Sequence, residues 1–150
     1  MDIETARERA RAALQNLEAH RQRINDLNVY PVPDGDTGTN LASTVRSVVE
    51  ALEASGAGSA EAVAKELSRA ALMGARGNSG VILSQIMRGF AGTLKHQADV
   101  QGAKFAEALQ AAAAGAYEAV LKPIEGTILT VCRERAEAAQ VAAAAGGSLV

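Results

Sequence analysis

Apolar residues recur at helical spacing through most of this chain, and no alternation of period two persists anywhere in it. In residues 2–27 two adjacent apolar rows repeat every seven positions: Ile3, Ala10, Leu17 and Ile24, and Ala6, Ala13, His20 and Leu27. Later segments carry similar stripes, separated by turns that contain glycine or proline. The pattern predicts an all-α fold, an antiparallel bundle of about six helices joined by short connections.

Glycine, proline and capping residues predict where these helices begin and end. The first helix must end before Pro31, because a residue that precedes proline avoids the α region, and residues 28–38 are therefore a predicted loop. A second polar loop is expected over residues 95–103. The expected helices run over 2–27, from Thr39 or Asn40 to Gly56, from a Ser59 cap to Gly74, from Gly80 to Leu94, from about Phe105 to Lys122-Pro123, and from Ile128 to about Ala145.

Composition agrees with helices and excludes several classes of protein. Hydrophobic residues make up 48% of the chain but aromatic residues only 3%, which suits closely packed helices and argues against a β-sandwich. At 150 residues the chain is expected to form one domain, 1–150, with a formal net charge of −2 that gives no basic signal for nucleic acid. Cys132 is the single cysteine, and no apolar run is long enough for a membrane span, so a cytoplasmic location is expected.

Residues 28–38, the acidic loop, concentrate the chemistry of the chain. Asp34 and Asp36 flank Gly35, which lets the backbone turn so that both carboxylates can point to one place. Carboxylates are the ligands that Mg²⁺ prefers, so the loop predicts a divalent-metal site; a plain Asp-Gly turn between helices is the alternative. A calcium-binding EF-hand loop is excluded, because Thr39 and Val45 stand where that loop requires glycine and glutamate.

Two further helix starts carry small polar residues. In Gly77-Asn-Ser-Gly80, free backbone N–H groups at the positive helix end could bind an anion, and Asn78 and Ser79 could cap the helix or donate to a phosphate. The stretch is neither a Walker A loop nor a dinucleotide fingerprint, since it has no Gly-Lys-Ser/Thr and no preceding strand. Taken alone, Thr127 after Gly126 is interpreted as a simple helix N-cap. Three polar helix ends together predict one functional rim.

Nucleophilic catalysis finds little support. Cys132 has no evident activating partner in the sequence, and His96 falls in a polar loop. His20 lies on the apolar stripe of the first helix, where we expect a packed, hydrogen-bonded histidine rather than a ligand.

Three of these stretches resemble a known family. They are Leu27–Asn40, Gly74–Gln85 and Pro123–Thr130. Together they are similar to the motifs of the dihydroxyacetone kinase L-subunit-like (DhaL) domain, closest to the branch at the N-terminus of the ATP-binding subunit of bacterial fatty acid kinase. The resemblance implies an all-α barrel that binds Mg-ATP at one rim and transfers a phosphoryl group.

The resemblance also implies roles for individual residues. Asp34 and Asp36 would be catalytic residues, and together with Asn28 they would hold two magnesium ions. The nucleotide would be bound by residues of all three motifs: Thr37, Thr39 and Asn40 near the phosphates, Asn78, Ser79 and Gly80 as their cradle, and Thr127 and Ile128 near the adenine. A separate fatty-acid-binding carrier protein would present the acceptor carboxylate, and the product would be an acyl phosphate.

Departures from the family pattern leave alternatives open. Thr37 stands where the sugar-kinase branch has histidine, which favours the fatty acid kinase branch over a dihydroxyacetone-type glycerone kinase or phosphotransferase. The family's domain continues for two further helices that carry a loop over the nucleotide, so we expect the lid and the last wall of the barrel to be missing. A catalytically incomplete nucleotide-binding or assembly module is therefore the alternative, and exposed apolar stripes would favour a homodimer.

Overall fold

The computed structural model describes residues 2–96 and 100–146, and these form six α-helices without a strand. The helices are α1 (Ile3–Asp26), α2 (Thr37–Ala54), α3 (Ala60–Met73), α4 (Gly77–Leu94), α5 (Gly102–Glu118) and α6 (Ile128–Ala144). The predicted all-α class and the order of the helices are confirmed.

Several helix ends differ from the prediction, among them the start of α4, which lies at Gly77 rather than Gly80. Helix α2 begins at Thr37, two residues before the predicted Thr39, because Asn25 of α1 and Asn28 of the loop cap it from outside its own sequence, as described below. Helix α5 ends at Glu118, well before Lys122-Pro123, where the N–H of Ala119 bonds to the carbonyl of Gly115 and closes the last turn. Of the predicted loop 95–103, residues 97–99 lie outside the described residues, and Gly102 and Ala103 are already helical.

Helix α4 is the centre of the bundle, since it packs against α2, α3 and α5. Helix α1 lies on α2 and touches α3, while α6 lies on α5. Within the described ranges α1 and α6 make no contact with each other. The helices therefore form an open arc, with a cleft between the first helix and the last.

The core consists of two clusters joined through α4. One holds Val48, Leu52 and Val63 between α2 and α3, and the other holds Leu109 and Cys132 between α5 and α6. Alanine fills much of the remaining contact area, most densely in α5, where five alanines are buried: Ala106, Ala108, Ala112, Ala113 and Ala116. Short side chains allow close approach of the helix backbones, which is the packing that the composition predicts.

The prediction of a packed His20 is wrong. His20 is exposed, and its Nδ1 lies 2.9 Å from the carbonyl oxygen of Asn16 on the same helix. Only Ala6 of α1 is fully buried, and Ala13 and His20 in the same row are exposed, because α2 and α3 cover that row only near the start of α1. None of the helices in the described part of the chain combines the length and apolar character that a bilayer crossing requires.

Candidate functional site

One end of the arc, the rim, gathers the three polar stretches. Helices α1, α3 and α5 end there, and α2, α4 and α6 begin there, so the connections 27–36, 74–76 and 119–127 are neighbours. At the rim the gap between α1 and α6 opens into a cleft of about 320 Å³, within the range of small-molecule sites. Its apolar walls come from α1, α4, α6 and the α5–α6 turn: Ile24, Leu27, Ile82, Val120, Ile124 and Leu129.

The structure brings seven of the predicted site residues to this cleft: Asn28, Asp34, Thr37, Asn78, Ser79, Thr127 and Ile128. The other four do not line it. Asp36 is half-buried at the N-cap of α2, and Thr39 is bonded to Asn25 of α1. Asn40 packs its amide against Gly77, and Gly80 is buried against the hydroxyl of Thr44. These two lie behind the cleft wall and hold α2 against α4.

The side chain of Asn28 holds the acidic loop together by hydrogen bonds to its backbone. Its Oδ1 accepts hydrogen bonds from the backbone N–H groups of Asp36 at 3.2 Å and Thr37 at 3.3 Å, and its Nδ2 donates to the carbonyl of Val32 at 2.8 Å. The loop turns at Gly35, whose φ of +66° is the left-handed conformation that glycine adopts without strain. The amide oxygen expected to bind metal thus faces two backbone N–H groups.

Asn25, one turn earlier on α1, was not singled out by sequence reasoning. Its Oδ1 accepts from the N–H of Thr39 at 3.1 Å, and its Nδ2 donates to the hydroxyl of Thr39 at 3.0 Å. The backbones also approach closely here, since a Cβ added at Gly38 would overlap the carbonyl oxygen of Arg21. A pair of asparagines near a helix end, just before a small-residue helix start, was the available sequence signal.

The start of α4 is capped differently. Its N-cap is Arg76, which makes no side-chain cap, so the predicted capping of α4 by Asn78 or Ser79 is not observed. Within the described residues no acceptor meets the N–H groups of Gly77, Asn78 or Ser79. Such free N–H groups at a positive helix end favour an anion.

Two polar links join the start of α4 to α2. The Ser79 hydroxyl donates to Thr37 Oγ1 at 3.5 Å. Behind it, the fully buried Thr44 hydroxyl accepts from the N–H of Arg76 at 3.2 Å and donates to the carbonyl of Asn40 at 2.8 Å. The two helix starts therefore form one polar wall of the cleft.

The third helix start, that of α6, is capped by a residue of its own turn. The Thr127 hydroxyl accepts from the N–H of Leu129 at 3.3 Å and donates to the carbonyl of Ile124 at 2.8 Å, which confirms the predicted cap. Next to it the Glu125 carboxylate accepts hydrogen bonds from the hydroxyls of Thr130 and Tyr117, both at 2.7 Å, and from Arg133 at 3.1 Å. These three donors, Thr130 first, lower the pKa of Glu125 to about 2. Sequence reasoning missed this network, which spans the α5–α6 turn.

The carboxylates of the loop fit a magnesium ion only with help from a ligand. Among residues 2–96 and 100–146 no three histidine, cysteine or acidic side chains come together as a metal site. The oxygen donors at hand are Asp34, exposed on the cleft wall, the nearby Asp36, and the hydroxyl of Thr37. Magnesium in phosphate-binding sites is commonly held by one or two carboxylates plus phosphate oxygens, so this donor set suits a metal that arrives with an anion.

Within the described residues no cysteine or histidine lines the cleft. Cys132 is buried in the α5–α6 cluster, and burial raises the pKa of its thiol, which makes it inert. His20 lies outside the cleft lining, and His96 follows the far end of α4. The arrangement can therefore bind and orient an anion with a cation, rather than attack a substrate covalently.

Comparisons with known proteins agree with this geometry. The family model of the DAK2 domain matches residues 31–150. An uncharacterised protein of Staphylococcus saprophyticus is 50% identical over 125 residues, which cover 83% of this chain and 23% of that protein. Protein YloV of Bacillus subtilis is 45% identical over 143 residues, 95% of this chain and 26% of its own length, so the chain spans about a quarter of these relatives. The chain belongs to the DAK2 domain family, a kinase-related family whose DhaL-like domains generally bind ATP or ADP.

Proposed function

We propose that this chain is the Mg-ATP-binding domain of a kinase that transfers the γ-phosphoryl group of ATP to a fatty acid carboxylate. A carboxylate oxygen forms the new bond to the γ-phosphorus, the bond to the bridging β–γ oxygen breaks, and ADP and an acyl phosphate result. A separate fatty-acid-binding protein presents the acceptor.

The observation that carries the proposal is the pairing of opposite charges across one cleft. Asp34, which we propose as a cation ligand, and the free N–H groups of Asn78 and Ser79, which we propose as anion ligands, lie on walls that the Ser79–Thr37 bond holds together. Phosphoryl transfer needs this combination of positioning and charge neutralisation more than it needs a nucleophile. Magnesium, held by Asp34 and Asp36 through the phosphates, would neutralise the charge that develops on the transferred group.

A carboxylate acceptor is consistent with the lack of a histidine in the described lining of the cleft. A fatty acid is already ionised near neutral pH, so it needs no general base, whereas a sugar hydroxyl would gain from one. This difference favours the acyl substrate over a dihydroxyacetone-type substrate.

Exposed apolar side chains at the rim support a protein-borne, apolar acceptor. Within residues 2–96 and 100–146, nine of the ten exposed large hydrophobic residues lie at or within two turns of the rim: Leu27, Val29, Tyr30, Val32, Leu72, Met73, Val81, Leu121 and Val131. Val141, the tenth, lies on α6 away from the rim. A clustered apolar surface of this kind is typical of an interaction site.

Calorimetry of ATP binding with Mg²⁺ and with EDTA tests the nucleotide site. We expect Mg²⁺-dependent binding that both Asp34→Asn and Asp36→Asn weaken by at least about 100-fold, equivalent to ~2.7 kcal/mol. Asp26→Asn is the matched control, because this carboxylate at the end of α1 bonds to Gln22 and does not line the cleft. Equal affinity for ATP in Mg²⁺ and in EDTA would contradict the proposal.

A nucleotide-binding module without turnover is the second candidate. The lack of contact between α1 and α6 in the described ranges favours it, because the cleft stays open to water on that side. A turnover assay with Mg-ATP, fatty acid and carrier protein separates the two candidates. Acyl phosphate above background supports the kinase, and binding without product supports the module.

A further inference from the structure

We infer that Asn25 and Asn28 are positioning residues that assemble the acidic loop before any metal or nucleotide binds. They do so by capping α2 from outside its own sequence, Asn25 from the last turn of α1 and Asn28 from the start of the acidic loop. The inference rests on the proposed function for its consequence, the affinity for Mg-ATP, but the capping itself can be tested without any ligand.

An inventory of backbone N–H groups at the start of α2 supports this role. The N–H groups of Asp36 and Thr37 are taken by Asn28, and that of Thr39 is taken by Asn25. The side chain of Asp36, the N-cap residue, makes no cap of its own. In an ordinary cap the aspartate at this position would accept from the following N–H groups. Because two asparagines do this instead, the carboxylate of Asp36 is spared for another ligand.

Asn28 also ties the two arms of the loop together. Its Nδ2 holds the carbonyl of Val32 on the entering arm, while its Oδ1 holds the N–H of Asp36 on the leaving arm. Asp34 lies on the three-residue span between these contacts. One side chain therefore fixes the separation of the arms, and with it the direction in which Asp34 leaves the loop.

The same bonds assign different ligands to neighbouring helix starts. The N–H groups of Asp36, Thr37 and Thr39 are occupied, so that of Gly38 is left at the start of α2, whereas α4 keeps those of its first three residues free. Anionic oxygens are thereby directed to α4, and the cation is left to the carboxylates before α2. Without the asparagines, both positive helix ends would compete for the anion.

Amide hydrogen exchange of the ligand-free protein, followed by NMR, tests the capping directly. In Asn28→Ala the amides of residues 36 and 37 should exchange faster by on the order of tenfold, while that of residue 39 is unchanged. Asn25→Ala should show the reverse pattern. Asn28→Asp, which keeps the accepting oxygen, should retain protection of residues 36 and 37. Unchanged exchange at residues 36 and 37 in Asn28→Ala would overturn the assignment.

Calorimetric titration with Mg-ATP then tests the positioning role. Asn28→Ala should weaken binding by roughly tenfold or more, as the loss of groups that orient metal ligands commonly does. Ser59→Ala is the matched control, since its hydroxyl caps α3 at the opposite end of the bundle at 3.2 Å, and it should leave affinity unchanged. Affinity within twofold of wild type in Asn28→Ala overturns the positioning role. If the wild type fails to bind Mg-ATP, the proposed function fails, and the exchange data still decide whether the asparagines preassemble the loop.

Discussion

The starts of α2 and α4 are neighbours on the rim, but they differ in whether their backbone N–H groups have hydrogen-bond acceptors. At α2 the side-chain amide oxygens of Asn25 on α1 and Asn28 in the acidic loop accept from three of them. At α4 no side chain caps the end, although Asn78 and Ser79 stand close enough in sequence to do so. Local sequence therefore does not decide which helix end stays open, and tertiary packing does.

The difference teaches how one cleft can hold both signs of charge. A satisfied helix end attracts anions less, so carboxylates can lie before α2 without competing with phosphate for its N–H groups. An open helix end keeps its full attraction for an anion. Substitutions at three places test this difference: at the start of α2, at the polar link between α2 and α4, and at the start of α6.

Gly38→Ala should have the largest effect, because it forces the start of α2 away from α1. The added Cβ would overlap the Arg21 carbonyl and lie 2.9 Å from Asn25 Oδ1, and backbone cannot move aside as a side chain can. We expect the free energy of unfolding in urea to fall by about 2–3 kcal/mol, together with loss of Mg-ATP binding.

Gly89→Ala is the control for Gly38→Ala. Its Cβ would overlap the Ala111 carbonyl between α4 and α5, away from the rim, and should destabilise the protein without a specific loss of affinity. Wild-type Mg-ATP affinity in Gly38→Ala would show that the docking of α2 on α1 does not matter to the site.

Thr44→Val should have an intermediate effect. It keeps the shape of a fully buried side chain but removes the hydroxyl that accepts from Arg76 and donates to Asn40. Loss of this bridge should cost about 1–2 kcal/mol in unfolding experiments and loosen the start of α4 relative to α2. The dissociation constant of Mg-ATP should rise several-fold. Thr93→Val, whose hydroxyl bonds only to the carbonyl of Gly89 within α4, should leave binding unchanged.

Glu125→Gln should have the smallest effect at neutral pH, since this network is exposed. The hydrogen bond to Glu125 raises the pKa of Tyr117, so the variant should lower the pKa of that phenol in an ultraviolet absorbance titration. Tyr117→Phe identifies which of the two tyrosine signals belongs to this position. An unchanged phenol pKa in Glu125→Gln would show that the bond does not persist in solution.

Acid unfolding offers a second measurement on the same residue. Because the pKa of Glu125 is lowered from 4.5 to about 2, its contribution to stability is present above pH 4.5 and is lost as the pH falls toward 2. Glu125→Gln should lack this part of the acid dependence.

Features that depend on neighbouring residues in the chain could be predicted from sequence. The six helices follow from apolar spacing, and Ser59 and Thr127 cap the residues just after them. The start of α2 could not be placed, because its caps come from residues 8 to 14 positions earlier, on α1 and in the acidic loop. A Thr39 cap was expected, and Thr39 is instead the residue being capped.

Burial and the cleft show the same limit. His20 continues an apolar row, but whether a row is covered depends on which helices lie beside it. Three motifs predicted one rim, and seven of the eleven predicted site residues line one cleft. Asn40 and Gly80 lie behind the wall because they fill the α2–α4 contact, which no single motif reveals. The catalytic, metal-binding and nucleotide-binding roles of all eleven predicted site residues stay predictions.

The gap between α1 and α6 makes ligand binding and global folding a single linked equilibrium. The cleft takes walls from Ile24 near one end of the described chain and from Ile128 more than a hundred residues later, so any molecule that fills it would bridge helices that otherwise do not meet. Such a ligand would link α1 to α6 noncovalently, and only the folded chain could bind it. At a concentration 100 times its dissociation constant it would raise the unfolding free energy by about 2.7 kcal/mol, and the melting temperature would then report the occupancy of the cleft.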